Sequence, residues 1–182
     1  MPALVREGRI DAFLLRPVPL LSQVMLNTFN VNVVGDLCVA AVLFTVGLRG
    51  VGVSWTPARI GFTVAAIVGA ALLEAAIQLA ISALSFRQAD TYTLSIWVDE
   101  VMASFGNYPT GIFPVALRAL FLTVIPLAYV AYLPASVILG KSVGASAVHV
   151  VAYLSPLVGV VAFVCARRFW YGAVKRYQGD GG

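Results

Sequence analysis

The sequence predicts an all-α integral membrane protein with about four transmembrane helices, together with shorter interfacial and re-entrant helices. Hydrophobic residues make up 60% of the 182 residues and charged residues 11%, whereas about 25% charged residues is usual in soluble domains. Several apolar stretches are long enough to cross a hydrocarbon core of about 30 Å as helices. Basic residues gather at the ends of these stretches, which is typical of membrane proteins.

The first segment, residues 1–21, is a short amphipathic stretch. Apolar side chains are interleaved with charged ones, among them Asp11 and Arg16, and Pro17 and Pro19 close the stretch. This pattern is typical of a helix that lies in the membrane interface.

Four apolar stretches are predicted to span the membrane, namely residues 25–48, 57–84, 113–133 and 147–166. The second begins with Thr56 as a helix N-cap and Pro57 at the first helical position. The third contains Pro126, and Pro134 is expected to end it. The apolar run 137–140 that follows is too short to cross the membrane and is predicted to be re-entrant.

Residues 86–112 mix polar and apolar side chains around Trp97 and predict an interfacial helix. Asp99 and Glu100 could suggest an acid/base pair or a metal site. Adjacent carboxylates project from different faces of a helix, so a solvated edge is favoured and no metal site is predicted.

Two faces of the second predicted span are expected to contact other helices. Gly61, Ala65 and Gly69 follow the small-xxx-small spacing that lets membrane helices approach closely. A neighbouring face carries Glu74 and Gln78. A charged carboxylate near the bilayer centre costs about 2.5–3.5 kcal/mol, so Glu74 is expected to face the bundle interior and to hydrogen-bond with Gln78. Packing between helices is favoured over a role in a translocation path, which stays open.

Other chemistries find little support in the sequence. The net charge of +4 comes from segment ends, so nucleic-acid binding is not expected. Cys38 and Cys165 lie in apolar stretches and are expected to be buried thiols rather than a disulfide or metal ligands. A membrane-embedded enzyme would need several ionisable groups at membrane depth. Glu74 is the only candidate deep in a predicted span, and His149 lies at the start of another span. No catalytic residue and no cofactor is predicted.

The placement of basic residues predicts the orientation. Four spans put both chain ends on one side of the membrane, and the positive-inside rule makes that side the cytoplasm. Eight basic residues fall on the inner side, namely Arg6, Arg9, Arg16, Arg87, Arg167, Arg168, Lys175 and Arg176. Three fall on the outer side, namely Arg49, Arg59 and Lys141.

Three stretches together resemble a known family. The first is an ordered set of six residues, Phe121, Pro126, Tyr132, Pro134, Leu139 and Gly140. It is similar to the signature near the end of type 2 ABC exporter permeases. More narrowly, it resembles a branch of bacterial permeases with six membrane helices, whose genes usually come in pairs beside an ATPase gene. The other two stretches are residues 7–17 and residues 169–179.

The resemblance implies a membrane-spanning permease subunit of an ABC transporter, an exporter powered by a separate ATPase subunit, in the bacterial inner membrane. A second permease subunit, identical or homologous, would complete it. Residues 7–17 match the connection that touches the ATPase, which makes Gly8, Asp11, Arg16 and Pro17 the implied coupling residues. The family has two further spans before this connection, so the resemblance also implies an N-terminally truncated chain. A structural or assembly subunit of a membrane complex remains the alternative, followed by a membrane-embedded enzyme.

Overall fold

The structure is a computed structural model that describes residues 17–18, 20–27, 32–86, 91–105, 108, 112–123, 126–141 and 146–176. Every regular element in these ranges is helical, and the predicted all-α membrane class is confirmed. The helices are, in chain order, α1 Leu20–Asn27, α2 Asn32–Val51, α3 Pro57–Ser85, α4 Thr91–Phe105, α5 Val115–Thr123, α6 Tyr132–Ile138, α7 Ser146–Tyr153 and α8 Ser155–Val174. The chain divides into two compact units, Ala3–Ser54 and Trp55–Gln178.

The first unit contains α1 and α2. Gln23 of α1 is buried, and its side-chain nitrogen donates a hydrogen bond to the carbonyl oxygen of Val18 at 2.7 Å. The segment Val33–Val51 of α2 is long and apolar enough to cross a membrane, and none of it is buried. Cys38 lies on this helix and is exposed, as is Cys165 of α8, so the expectation of buried thiols is wrong for both. Both lie on helix surfaces that the chain leaves uncovered.

Helix α3 begins where its local signals predict. Thr56 has an extended backbone, its hydroxyl oxygen accepts a hydrogen bond from the backbone N–H of Arg59 at 3.3 Å, and Pro57 opens the helix. The cap satisfies one of the N–H groups that every helix start leaves without a helical partner. The helix is 29 residues long, or about 44 Å at 1.5 Å per residue. It is therefore longer than the thickness of the hydrocarbon core, about 30 Å.

Helices α3 and α8 pack against each other through backbone atoms. An added Cβ at Gly159 would lie 2.7 Å from the carbonyl carbon of Gly69, and one at Gly69 would lie 2.6 Å from Cα of Pro156. Such distances leave no room for a side chain, so the helices meet at their two glycines. Gly61 and Ala65, which belong to the same predicted stripe as Gly69, are exposed.

The two packed helices run in the same direction. Phe62 near the start of α3 contacts Tyr153 just before α8, with ring centroids 5.8 Å apart. Phe86 after the end of α3 contacts Trp170 near the end of α8, at 6.1 Å. Two parallel spans begin on the same membrane face, so the chain must cross back between them.

Between α3 and α8 in the chain lies a bent pair of helical pieces, α5 and the stretch Leu127–Ile138, which are inclined at 73° and together are apolar enough for one span. The expected continuous helix over residues 113–133 is therefore interrupted. Pro126 has a ψ of 47° and precedes a 3₁₀ turn, Leu127–Tyr129. Pro134 lies in the first turn of α6 rather than ending a helix, a position where proline costs no helical hydrogen bond.

The signature residues of this region have structural roles. Phe121 is buried and contacts Phe105 and Phe113 at centroid distances of 5.5 and 5.4 Å, and so ties α4 to α5. Gly140 has a φ of 65°, and the N–H of Lys141 donates to the carbonyl oxygen of Ser136 at 2.9 Å. This is the glycine-terminated helix end of the Schellman type, which favours glycine at the left-handed position.

Candidate functional site

A hydrogen bond between side chains joins α3 to α4. The side-chain nitrogen of Gln78 donates to the carboxylate oxygen Oδ1 of Asp99. Gln78 is half-buried and Asp99 is exposed. The two residues are 21 positions apart in sequence, and their pairing fixes which face of α4 turns toward α3.

An open groove of about 440 Å³ lies beside this hydrogen bond. Glu74, one helical turn before Gln78, and Asp99 contribute the two carboxylates of its wall. The remaining side chains of the described lining are apolar, among them Met102, Leu127, Val130 and Ala131. The groove is thus formed by α3, α4 and the segment that follows the break at Pro126.

The chemistry of this groove is that of an acceptor for a positively charged group. Two carboxylates attract cations and accept hydrogen bonds, whereas the amide donor of Gln78 is already directed at Asp99. The described residues contain no group of three His, Cys, Asp or Glu that could hold a metal ion. The groove is therefore acidic within an apolar surface and is suited to an organic cation.

Glu74 and Gln78 occupy different environments from those expected. Glu74 is exposed and lines the groove instead of being enclosed by the helices of its own chain. The expected hydrogen bond between Glu74 and Gln78 is replaced by the one from Gln78 to Asp99.

The predicted coupling residues fall mostly outside the described part of the chain. Gly8, Asp11 and Arg16 lie outside it, and Pro17 is exposed in a bend before α1. His149 belongs to α7, but its side chain also lies outside the description. The coupling role of residues 7–17 therefore stays a prediction.

Asp99 is the residue that sequence reasoning missed. The expectation that Asp99 and Glu100 diverge is correct, because Glu100 accepts a hydrogen bond from Ser104 of its own helix at 3.3 Å. Asp99 instead reaches α3. The available signal was its spacing from Met102 and Ala103, since residues at i, i+3 and i+4 share one helix face, and all three line the groove.

The chain was compared with protein families, curated proteins and solved structures. A family model described as "ABC-2 family transporter protein" matches residues 1–181. Neither a curated protein nor a solved structure matches the chain.

Proposed function

The chain belongs to the ABC-2 transporter family, and from this we propose that it is the membrane-spanning permease subunit of an exporter powered by a separate ATPase subunit. The family match over residues 1–181 is the observation that carries the proposal. The three long apolar helices and the bent pair supply the multi-pass architecture that a permease needs. A second permease subunit, identical or homologous, would complete the transporter.

The groove at Glu74 and Asp99 is the proposed part of the substrate path. It combines charge with apolar surface, and it lies between a long spanning helix and the interrupted segment after Pro126. Breaks in membrane helices are tolerated where the freed backbone lines a cavity or is buried in protein. An ionisable residue within a membrane-spanning helix is a candidate for a substrate or ion path.

We place the protein in the bacterial inner membrane with both chain ends in the cytoplasm. The parallel course of α3 and α8 supports this orientation, because it brings both of their C-terminal ends to one face. Arg87 follows α3, and four basic residues, Arg167, Arg168, Lys175 and Arg176, end α8. An excess of basic residues marks the cytoplasmic side.

Reporter fusions test the orientation. Fusions after residues 54, 90, 142 and 178 are expected to report outside, inside, outside and inside, because the four crossings alternate and the basic ends stay in the cytoplasm. An alkaline phosphatase and a fluorescent-protein reporter at each position give complementary signals. An outside signal after residue 178 would overturn the arrangement of four crossings.

The segment around Asp11 and Arg16 is the proposed contact with the ATPase subunit. We expect Arg16→Glu to weaken copurification with the ATPase encoded beside the permease genes, because a reversed charge on an interface disfavours the matching contact. Membrane insertion should be unchanged. Arg49→Glu, the same reversal at the exposed end of α2, is the matched control and should retain the ATPase.

The same experiment separates the competing functions. If both Arg16→Glu and Asp11→Lys leave ATPase retention unchanged, the coupling assignment is wrong. If the unaltered chain copurifies with other membrane proteins but never with an ATPase, a structural or assembly role replaces the permease proposal.

A further inference from the structure

We propose that the groove between α3 and α8, together with the basic end of α8, binds one anionic phospholipid. The groove has a volume of about 340 Å³, and its described walls are apolar apart from the thiol of Cys165. Alanines on both helices, including Ala76, Ala80 and Ala162, leave the space open. An open groove with apolar walls suits an acyl chain, which needs no hydrogen-bond partner.

A second, smaller cavity of about 170 Å³ lies at the end of α8 and is lined by Phe169, Gly172, Ala173 and Arg176. Phe169 also lines the apolar groove, so the two cavities are neighbours. On α8, positions 162, 165, 166, 169, 172 and 173 share one face, because they follow the helical spacing of three and four residues. Arg176 follows the end of the helix. The apolar groove and a basic side chain therefore lie on the same side of α8.

The smaller cavity has the geometry expected for a phosphate group. An added Cβ at Gly172 would meet nothing within 4 Å, so its floor is open. Arg168 and Arg176 are exposed and lie four residues before and after Gly172, which places each about 6 Å along the helix axis from it. Two guanidinium groups on either side of an open floor can donate paired hydrogen bonds to phosphate oxygens.

Charge selects an anionic lipid over a zwitterionic one. Between Ser155 and Arg176 the sequence has four basic residues and no acidic residue. Arg167 is turned toward the ring of Tyr171, with 5.6 Å from its guanidinium carbon to the ring centroid. Arg176 lines the smaller cavity, and Arg168 lies one helical turn before Gly172. The predicted span 147–166 is about 30 Å long as a helix, so Arg168 and Arg176, which follow it in the chain, lie at the headgroup level when it spans the core.

Lipid retention by the purified full-length chain tests the proposal. After delipidation, the protein is incubated with phosphatidylglycerol or phosphatidylcholine and bound lipid is counted by native mass spectrometry. We expect about 25-fold preference for phosphatidylglycerol, since Arg168 and Arg176 each contribute about fivefold for anionic lipid. Gly172→Leu fills the cavity without changing charge and should clearly lower phosphatidylglycerol retention. Gly61→Leu is the matched control, because an added Cβ at Gly61 also meets nothing within 4 Å. It should leave phosphatidylglycerol retention unchanged.

Charge variants and alkylation of Cys165 provide two further tests of the proposal. The double variant Arg168→Gln, Arg176→Gln should abolish the preference, whereas Arg49→Gln, Lys141→Gln removes two exposed charges elsewhere and should preserve it. In a Cys38→Ser background, phosphatidylglycerol should slow alkylation of Cys165 by occupying the groove, which Cys165 lines. Equal retention of both lipids, or no effect of Gly172→Leu and of the double arginine variant, would overturn the proposal. Displacement of the lipid by inorganic phosphate would show a free-anion site instead.

Discussion

Gly159→Ala is expected to reduce the amount of correctly folded protein sharply. The new methyl group would lie 2.7 Å from the carbonyl carbon of Gly69 and 3.0 Å from its Cα. Both are backbone atoms, so no side-chain rotation can relieve the overlap, and α3 and α8 must move apart. Overpacking of this kind typically costs about 1–3 kcal/mol, whereas the helix propensity of alanine over glycine returns only about 1 kcal/mol.

The cost matters because small-residue contacts carry much of the packing between membrane helices. Lipid tails are as apolar as the helix surfaces, so close van der Waals packing has to replace the hydrophobic effect between helices. Only 33% of the spanning window of α3 and 22% of that of α8 are buried in this chain. The crossing at Gly69 and Gly159 is therefore a large share of what holds the second unit together.

Matched glycines make this prediction specific. Gly69→Ala should have a similar effect, because its added atom would lie 2.6 Å from Cα of Pro156. Gly61→Ala on α3 and Gly172→Ala on α8 change the same residue type where nothing lies within 4 Å. Thermal unfolding in detergent should show the first pair destabilised and the second pair unchanged or slightly more stable. A Gly159→Ala protein as stable as Gly172→Ala would contradict the backbone contact.

Local patterns predicted the features that depend on local physics. The start of α3 follows from Thr56 and Pro57, and its end follows from the length of the apolar run. The close-packing residue Gly69 was identified by its spacing from other small residues. Its partner Gly159 is 90 positions away, and a small residue at one helix surface does not identify the surface that approaches it.

The acidic groove shows a second feature that the sequence alone could not predict. Glu74 and Gln78 required a polar or protein environment, which sequence reasoning recognised. Asp99 as the acceptor of Gln78 depends on how α4 is placed after the connection at residues 87–90, and this follows from tertiary packing. The interruption at Pro126 had a sequence signal, but proline can kink a helix or end it, and the neighbouring packing decides between the two.

If Glu74 lies on a translocation path, water should reach the groove. The groove should then also attract cations and repel anions. In a background with Cys38→Ser and Cys165→Ser, which removes both cysteines of the chain, Ala131→Cys introduces an exposed thiol in the groove wall. We expect this thiol to react with a cationic methanethiosulfonate reagent about thirtyfold faster than with an anionic one. A unit charge about 8 Å away in water changes the energy of a charged reagent by about 0.5 kcal/mol, and the two carboxylates act oppositely on the two reagents.

Removing one carboxylate tests the assignment of Glu74. Adding Glu74→Gln should lower the ratio of rates to about sixfold, since one of two similar contributions is lost, while Asp99 keeps its hydrogen bond with Gln78 and the fold is retained. Val161→Cys on α8, where the native side chain is 61% exposed, is expected to face lipid and to react with neither reagent, because both are membrane-impermeant ions. If Ala131→Cys is equally unreactive, the groove is closed to water and the path role is wrong. If it reacts but Glu74→Gln leaves the ratio unchanged, Glu74 serves helix packing and does not act on ions in the groove.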